Sequence, residues 1–127
     1  MNSANKTKGQ IEAQISEAII KFEKEYMGRG PTETKAYLIR DIVLVRLKGV
    51  LTPAEEQLSK SPEGAELVKK TRVQLLESSR SLLEGIIYEI TGQRIKSLHT
   101  DISTKTGERM IIFTLDKNLE EAFYEKS

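Results

Sequence analysis

The stretch Ile42–Lys48, "IVLVRLK", constrains the fold more than any other part of the chain. Side chains alternate between the two faces of a strand, so Val43, Val45 and Leu47 share one face. The opposite face carries Ile42 and Leu44 before Arg46 breaks it. An antiparallel strand with one solvated face reads apolar-in, polar-out. This one is apolar on both faces over its first half, so a fold that uses it must cover one side and leave or cover the other.

The residues just before it, "TKAYLI", are again rich in β-branched and aromatic types, with Arg40-Asp41 between. The pattern predicts strands over 34–40 and 42–49 joined by a tight hairpin turn. A second pair follows near the C-terminus. "QRIKSLHTDI" and "ERMIIFTLD" flank the five-residue loop "STKTG", whose glycine can take positive φ. In that second pair Ile111, Phe113 and Leu115 share a face, which turns Met110 and Ile112 to the other.

Helical segments precede both hairpins. Ile11, Ile15, Ala18, Ile19, Phe22 and Tyr26 form one stripe, with Glu12, Glu17, Lys21, Glu23 and Lys24 opposite. Gly28 is the stop and Pro31 prevents resumption. Thr52-Pro53 with Glu55 is a helix start with a capping box, and Ser61-Pro62 is another. From there Val68, Leu75, Leu76, Leu82, Leu83, Ile86, Ile87 and Ile90 recur at helical spacing up to Gly92. The spacing predicts one long central helix over 62–91, ~43 Å at 1.5 Å per residue. Residues 1–8 read as a flexible lead and 117–127 as a short helix or tail.

The expected architecture is α+β: a single domain over 1–127, with a four-stranded antiparallel sheet and the first and central helices packed on one face. The order of elements suggests an αββ-αββ pseudo-repeat; the alternative is that two hairpins in any α+β protein look alike. On the face away from the helices, Ile42, Leu44, Met110 and Ile112 make a candidate interface. Two occupants are open, a second copy of the chain as a homodimer, or a terminal helix of the same chain.

Composition removes several function classes. The 127 residues hold no cysteine, so disulfides, thiolate zinc sites and cysteine nucleophiles are excluded. Charged residues are 31%, apolar residues 38%, and the net charge is +1, which suits a folded domain. It does not suit a strong grip on nucleic acid or anionic lipid. Lys35, Tyr37, Arg46 and Lys48 could form a base-stacking sheet surface, but an aromatic content of 6% argues against it. No apolar run approaches a membrane span, and "MNSANKTKGQ" lacks the apolar core of a signal peptide. A cytoplasmic protein without membrane insertion is expected.

Few residues offer chemistry. His99 and Asp101 share a strand face and could orient an imidazole for proton transfer or supply two metal ligands, but there is no third ligand. A structural hydrogen bond or surface pair is the simpler reading. Arg29, between Gly28 and Gly30, could grip an anion, yet it follows a helix rather than preceding one, where the dipole favours anions. A cap and turn is the simpler reading unless the loop folds over another positive region. Ser103, Thr104, Lys105, Thr106 and Arg109 read as a hydroxyl-rich hairpin turn, and Lys69, Lys70 and Arg72 as a solvated helix side. No catalytic set, metal site or cofactor is expected. Arg29, Arg46, Lys48 and His99 are the candidate anion-binding residues of a small-anion sensor for bicarbonate, phosphate or a nucleotide.

The blocks "GRGPTETKAYLIRDIVLVRLKGVLTPAEEQL" and "HTDISTKTGERMIIFTL" resemble the signature segments of a family of small bacterial proteins, the MpsC family. That family takes its name from one component of a Na+-translocating membrane-potential-generating system, and the resemblance covers about residues 5–116. It implies a small cytosolic component that works with a membrane ion-translocating or inorganic-carbon-uptake system. It brings no catalytic residues. Together these readings favour a non-enzymatic accessory and assembly module, homo-oligomeric, with a membrane-associated complex as partner. An anion sensor comes next and an enzyme using His99 and Asp101 last.

Overall fold

The computed structural model describes residues 6–125. Helix α1 (Lys8–Phe22) starts on a capping box in which the Thr7 hydroxyl accepts from the Gln10 amide and the Gln10 side chain accepts from the Thr7 amide. Of the lead expected over 1–8, residues 1–5 lie outside the described residues, and Thr7 and Lys8 already belong to this start. Strands β1 (Glu33–Ile39) and β2 (Ile42–Lys48) form the first hairpin. Helices α2 (Pro53–Leu58), α3 (Pro62–Ser78) and α4 (Arg80–Thr91) follow. Strands β3 (Ile95–Ile102) and β4 (Arg109–Leu115) form the second hairpin, and α5 (Leu119–Glu125) ends the described chain.

The four strands make one antiparallel sheet in the order β1-β2-β4-β3, so the second strands of the two hairpins meet at its centre. The register pairs Leu44 with Tyr37 on one side and Ile112 on the other, and Ile112 in turn with His99. Ala36, Leu38, Val43, Val45, Leu47, Ile111, Phe113 and Leu115 all point into the core. There they meet Ile11, Ile15, Ile19 and Phe22 of α1, Val68 and Leu76 of α3, and Leu83 and Ile87 of α4. The fold is α+β, with the helix layer on one side of the sheet.

Three local expectations change. The long periodic stretch is not one helix. Ser79 closes α3, donating its amide to the Glu77 and Leu76 carbonyls, and its carbonyl accepts from Leu83 to open α4. Ser78, Ser79 and Ser81 cluster here, and serine hydroxyls compete for backbone groups inside helices, as Ser78 Oγ does at Leu75. After Phe22 the first helix winds as a π turn (Glu23–Met27) before Gly28 takes φ 99°. Wider winding changes the phase of the stripe. Met27 turns inward and Tyr26 outward, while Glu23, expected on the polar side, continues the row of Ile11, Ile15 and Ile19 and is fully buried. The third change is at Arg72, expected on a solvated side but 1% exposed.

Helix α5 does not seal the outer sheet face. Its Leu119 joins the core cluster and Phe123 packs against it. The Glu120 amide donates to the Arg40 carbonyl at 3.2 Å, and Arg40 returns its own amide to Glu120 Oε1 at 2.8 Å. The last helix thus ties down the β1–β2 turn, where Arg40 itself sits at φ 58°.

Candidate functional site

Two constellations stand out: a largely buried polar network under the β3–β4 hairpin, and the sheet face away from the helices.

Glu23, Arg72 and Arg109 are each at most 1% exposed. The Arg72 guanidinium donates Nε and NH2 to the two Glu55 oxygens at 2.8 and 2.6 Å, a two-pronged contact. NH2 also donates to the Val50 carbonyl at 2.7 Å, and NH1 reaches Glu23 at 3.4 Å. Arg109 reaches the other Glu23 oxygen at 3.5 Å, the Arg72 carbonyl at 3.0 Å and Thr100 Oγ1 at 3.2 Å. Two carboxylates thus balance two guanidiniums. Burial pushes the Glu23 carboxyl above its ordinary value, and the two guanidiniums only partly offset this. At Glu55 burial also pushes upward, but the hydrogen bonds from Arg72 and the Thr52 cap outweigh it and the carboxyl sits low. Burial pulls the Arg109 guanidinium below its ordinary value, and the Glu23 carboxylate partly offsets this. Every group has a partner, so the network joins β4, α3, the π turn and the start of α2 rather than opening to a substrate.

The sequence could have revealed both arginines. Arg72 is four residues from each of Val68 and Leu76 on the buried stripe, and Arg109 is in phase with Ile111 and Phe113. Residue type suggested exposure, and position decided burial.

The outer sheet face carries Ile42, Leu44, Met110 and Ile112 on the two central strands. Tyr37 and Ile39 of β1, 40% and 46% exposed, extend the patch to one edge. The four central side chains are half-buried. Charged groups flank it and neutralise one another: Arg46 with Glu108 at 2.6 Å, Lys48 with Glu33 at 3.9 Å, and Asp101 with Lys69 at 3.5 Å. The open edge of β1 is blocked, because the Leu38 amide donates to Glu12 of α1 at 2.8 Å.

His99 lies on this face beside Ile112, with Nε2 3.2 Å from Ser97 Oγ, and Ser97 in turn bonds Thr114. Asp101 faces the same way, but its partners are Lys69 and the Ile102 amide. Arg46, Lys48 and His99 therefore share one sheet face, each with a partner of its own. Arg29 stands apart at the end of the sheet, donating NH1 to the Leu51 carbonyl at 3.0 Å. A separate recess of about 580 Å³ lies between α1 and α4, walled by Phe22, Tyr26, Leu82 and Ile86, with Lys21, Glu17 and Glu89 of mixed sign around it. No helix among the described residues is long and apolar enough to cross a membrane.

Comparison with known proteins places the chain. It is 48% identical over 115 residues to the uncharacterized protein YbcI of Bacillus subtilis (strain 168), covering 91% of this chain and 93% of that relative. It is 26% identical over 110 residues to the uncharacterized protein YrhF of the same organism, covering 85% and 89%. No solved structure matches it. The family model described as "Na+-translocating membrane potential-generating system (MpsC)" matches residues 7–117, and the chain belongs to that family.

Proposed function

We propose that the chain is a non-enzymatic accessory protein that works by protein–protein association, as a homodimer, beside a Na+-translocating system on the cytoplasmic side of a membrane. Family membership supports the setting. The single observation behind the association is the apolar outer face of the sheet, where Tyr37 and Ile39 are exposed and Ile42, Leu44, Met110 and Ile112 are half-buried. Apolar side chains at the centre with neutralised charges around them make a surface that an identical surface can meet without like-charge repulsion. Two such faces would pack as a β-sandwich about 10 Å apart.

Sedimentation of the purified chain at micromolar concentration tests this. A mass of two chains is expected, falling to one in Leu44→Asp and Ile112→Glu with helix and strand content intact. A single-chain mass for the unaltered protein would remove the homodimer. A retained dimer in both variants would move the contact elsewhere.

A further inference from the structure

The opening between the Gly28–Thr32 loop and the Ser103–Gly107 hairpin loop is not absorbed by the association reading. It is a recess of about 460 Å³ at the end of the sheet. Three cations from distant parts of the sequence line it: Arg29 after the π turn, Lys60 after α2, and Lys105 in the β3–β4 loop. Among the described residues none of the three makes an ion pair, whereas Arg46, Lys48 and Lys69 nearby each have one. One carboxylate, Glu56, also lines the recess, so its lining carries an excess of two positive charges. Like charges gathered without counter-charge repel, and an anion of charge two removes that repulsion.

The recess is built rather than incidental. Arg29 is held by its bond to the Leu51 carbonyl, which leaves its other N–H groups free to donate. Lys105 rides on a turn closed by three bonds: Ser103 amide to Glu108 carbonyl, Gly107 amide to Ser103 carbonyl, and Thr106 amide to Ser103 Oγ. The Val50 amide donates to the Gly107 carbonyl at 3.1 Å and fastens this loop to the end of β2. At Gly49, φ 66°, an added Cβ would lie 2.6 Å from Thr32 Oγ1, so the wall needs glycine there. Ser59 lines the same recess, and its Oγ is buried with no hydrogen-bond partner. A buried hydroxyl normally finds one.

We propose that this recess binds a phosphate group, either as the free dianion or as the head of a phosphate monoester. A guanidinium, two ammonium groups and hydroxyl donors supply charge-assisted hydrogen bonds to three or four oxygens at once. The proposal does not depend on the outer sheet face.

Calorimetry and ³¹P NMR line broadening with the full chain test it, using inorganic phosphate and glycerol 1-phosphate at matched ionic strength. One saturable site is expected. The double variant Lys60→Ala/Lys105→Ala and the single variant Arg29→Ala should each weaken it roughly tenfold or more. Lys96→Ala, on an exposed strand position outside the recess, should leave it unchanged. Equal affinity for both probes assigns the free ion, and tighter glycerol 1-phosphate assigns a monoester. All three cations are exposed, so unchanged circular dichroism is expected throughout. No saturable binding of either probe, or equal binding by the double variant, overturns the proposal.

Discussion

The most consequential residue is Glu23, which continues the buried row of Ile11, Ile15 and Ile19 four residues further on, where the π turn begins. Its carboxylate is the only partner of opposite charge that Arg109 has among the described residues. Breaking a buried pair leaves an uncompensated charge and costs about 3–5 kcal/mol. Glu23→Ala should lower the unfolding free energy read from urea denaturation by that order, and more than Glu55→Ala, because Glu55 is partly open to water. The two carboxyls should also separate in pH. The folded Glu23 is raised above its ordinary 4.5, so the folded state binds a proton first. Its contribution to stability therefore grows as pH falls toward that value. Glu55 is lowered from the same 4.5, and its contribution is present above that value and lost as pH falls below it. Chemical denaturation across this range should show a weak rise and then a fall. Glu23→Gln should abolish the rise and Glu55→Gln should soften the fall.

At the scale of elements, most start and stop signals were legible. Thr52, Pro53 and Glu55 form the expected capping box, Ser61 Oγ caps α3 at the Gly64 amide, and Gly92 ends α4 at φ 74°. These signals are local, a side chain acting on backbone within one turn, and so they survive without tertiary information. The split at Ser79 and the π turn went unread, because the apolar spacing runs on across both and the serine cluster at 78–81 is a weaker signal than a proline or glycine. Gly64 shows a close approach that composition hides. A Cβ there would lie 1.8 Å from the Leu58 carbonyl, which is backbone and cannot swing aside. Alanine gains about 1 kcal/mol in helix propensity. Gly64→Ala should nevertheless destabilise the chain by about 1–3 kcal/mol through overpacking, read as a lower thermal midpoint.

For the whole molecule, the decisive feature is the asymmetry of the sheet. One face holds the core and the helix layer, and the other is apolar at its centre, with Ile42, Leu44, Met110 and Ile112 half-buried there. If that face joins two copies, association is driven by apolar burial with little charge steering. The dimer should then persist at about 1 M salt, where exposed ion pairs are screened. A mass that falls to one chain at high salt would point instead to the flanking charges.

Which residues alternate, where the capped helices start, and that Ile42, Leu44, Met110 and Ile112 share a face were settled by the sequence alone, because side-chain periodicity and capping are properties of the local backbone. The tertiary structure decided the rest. It set the strand order that brings the two hairpins together, buried Arg72 and Arg109 around Glu23, and gathered Arg29, Lys60 and Lys105 at one recess. Contacts between residues tens of positions apart depend on how the layers stack. That is set by the summed packing of the core and not by any one stretch of chain.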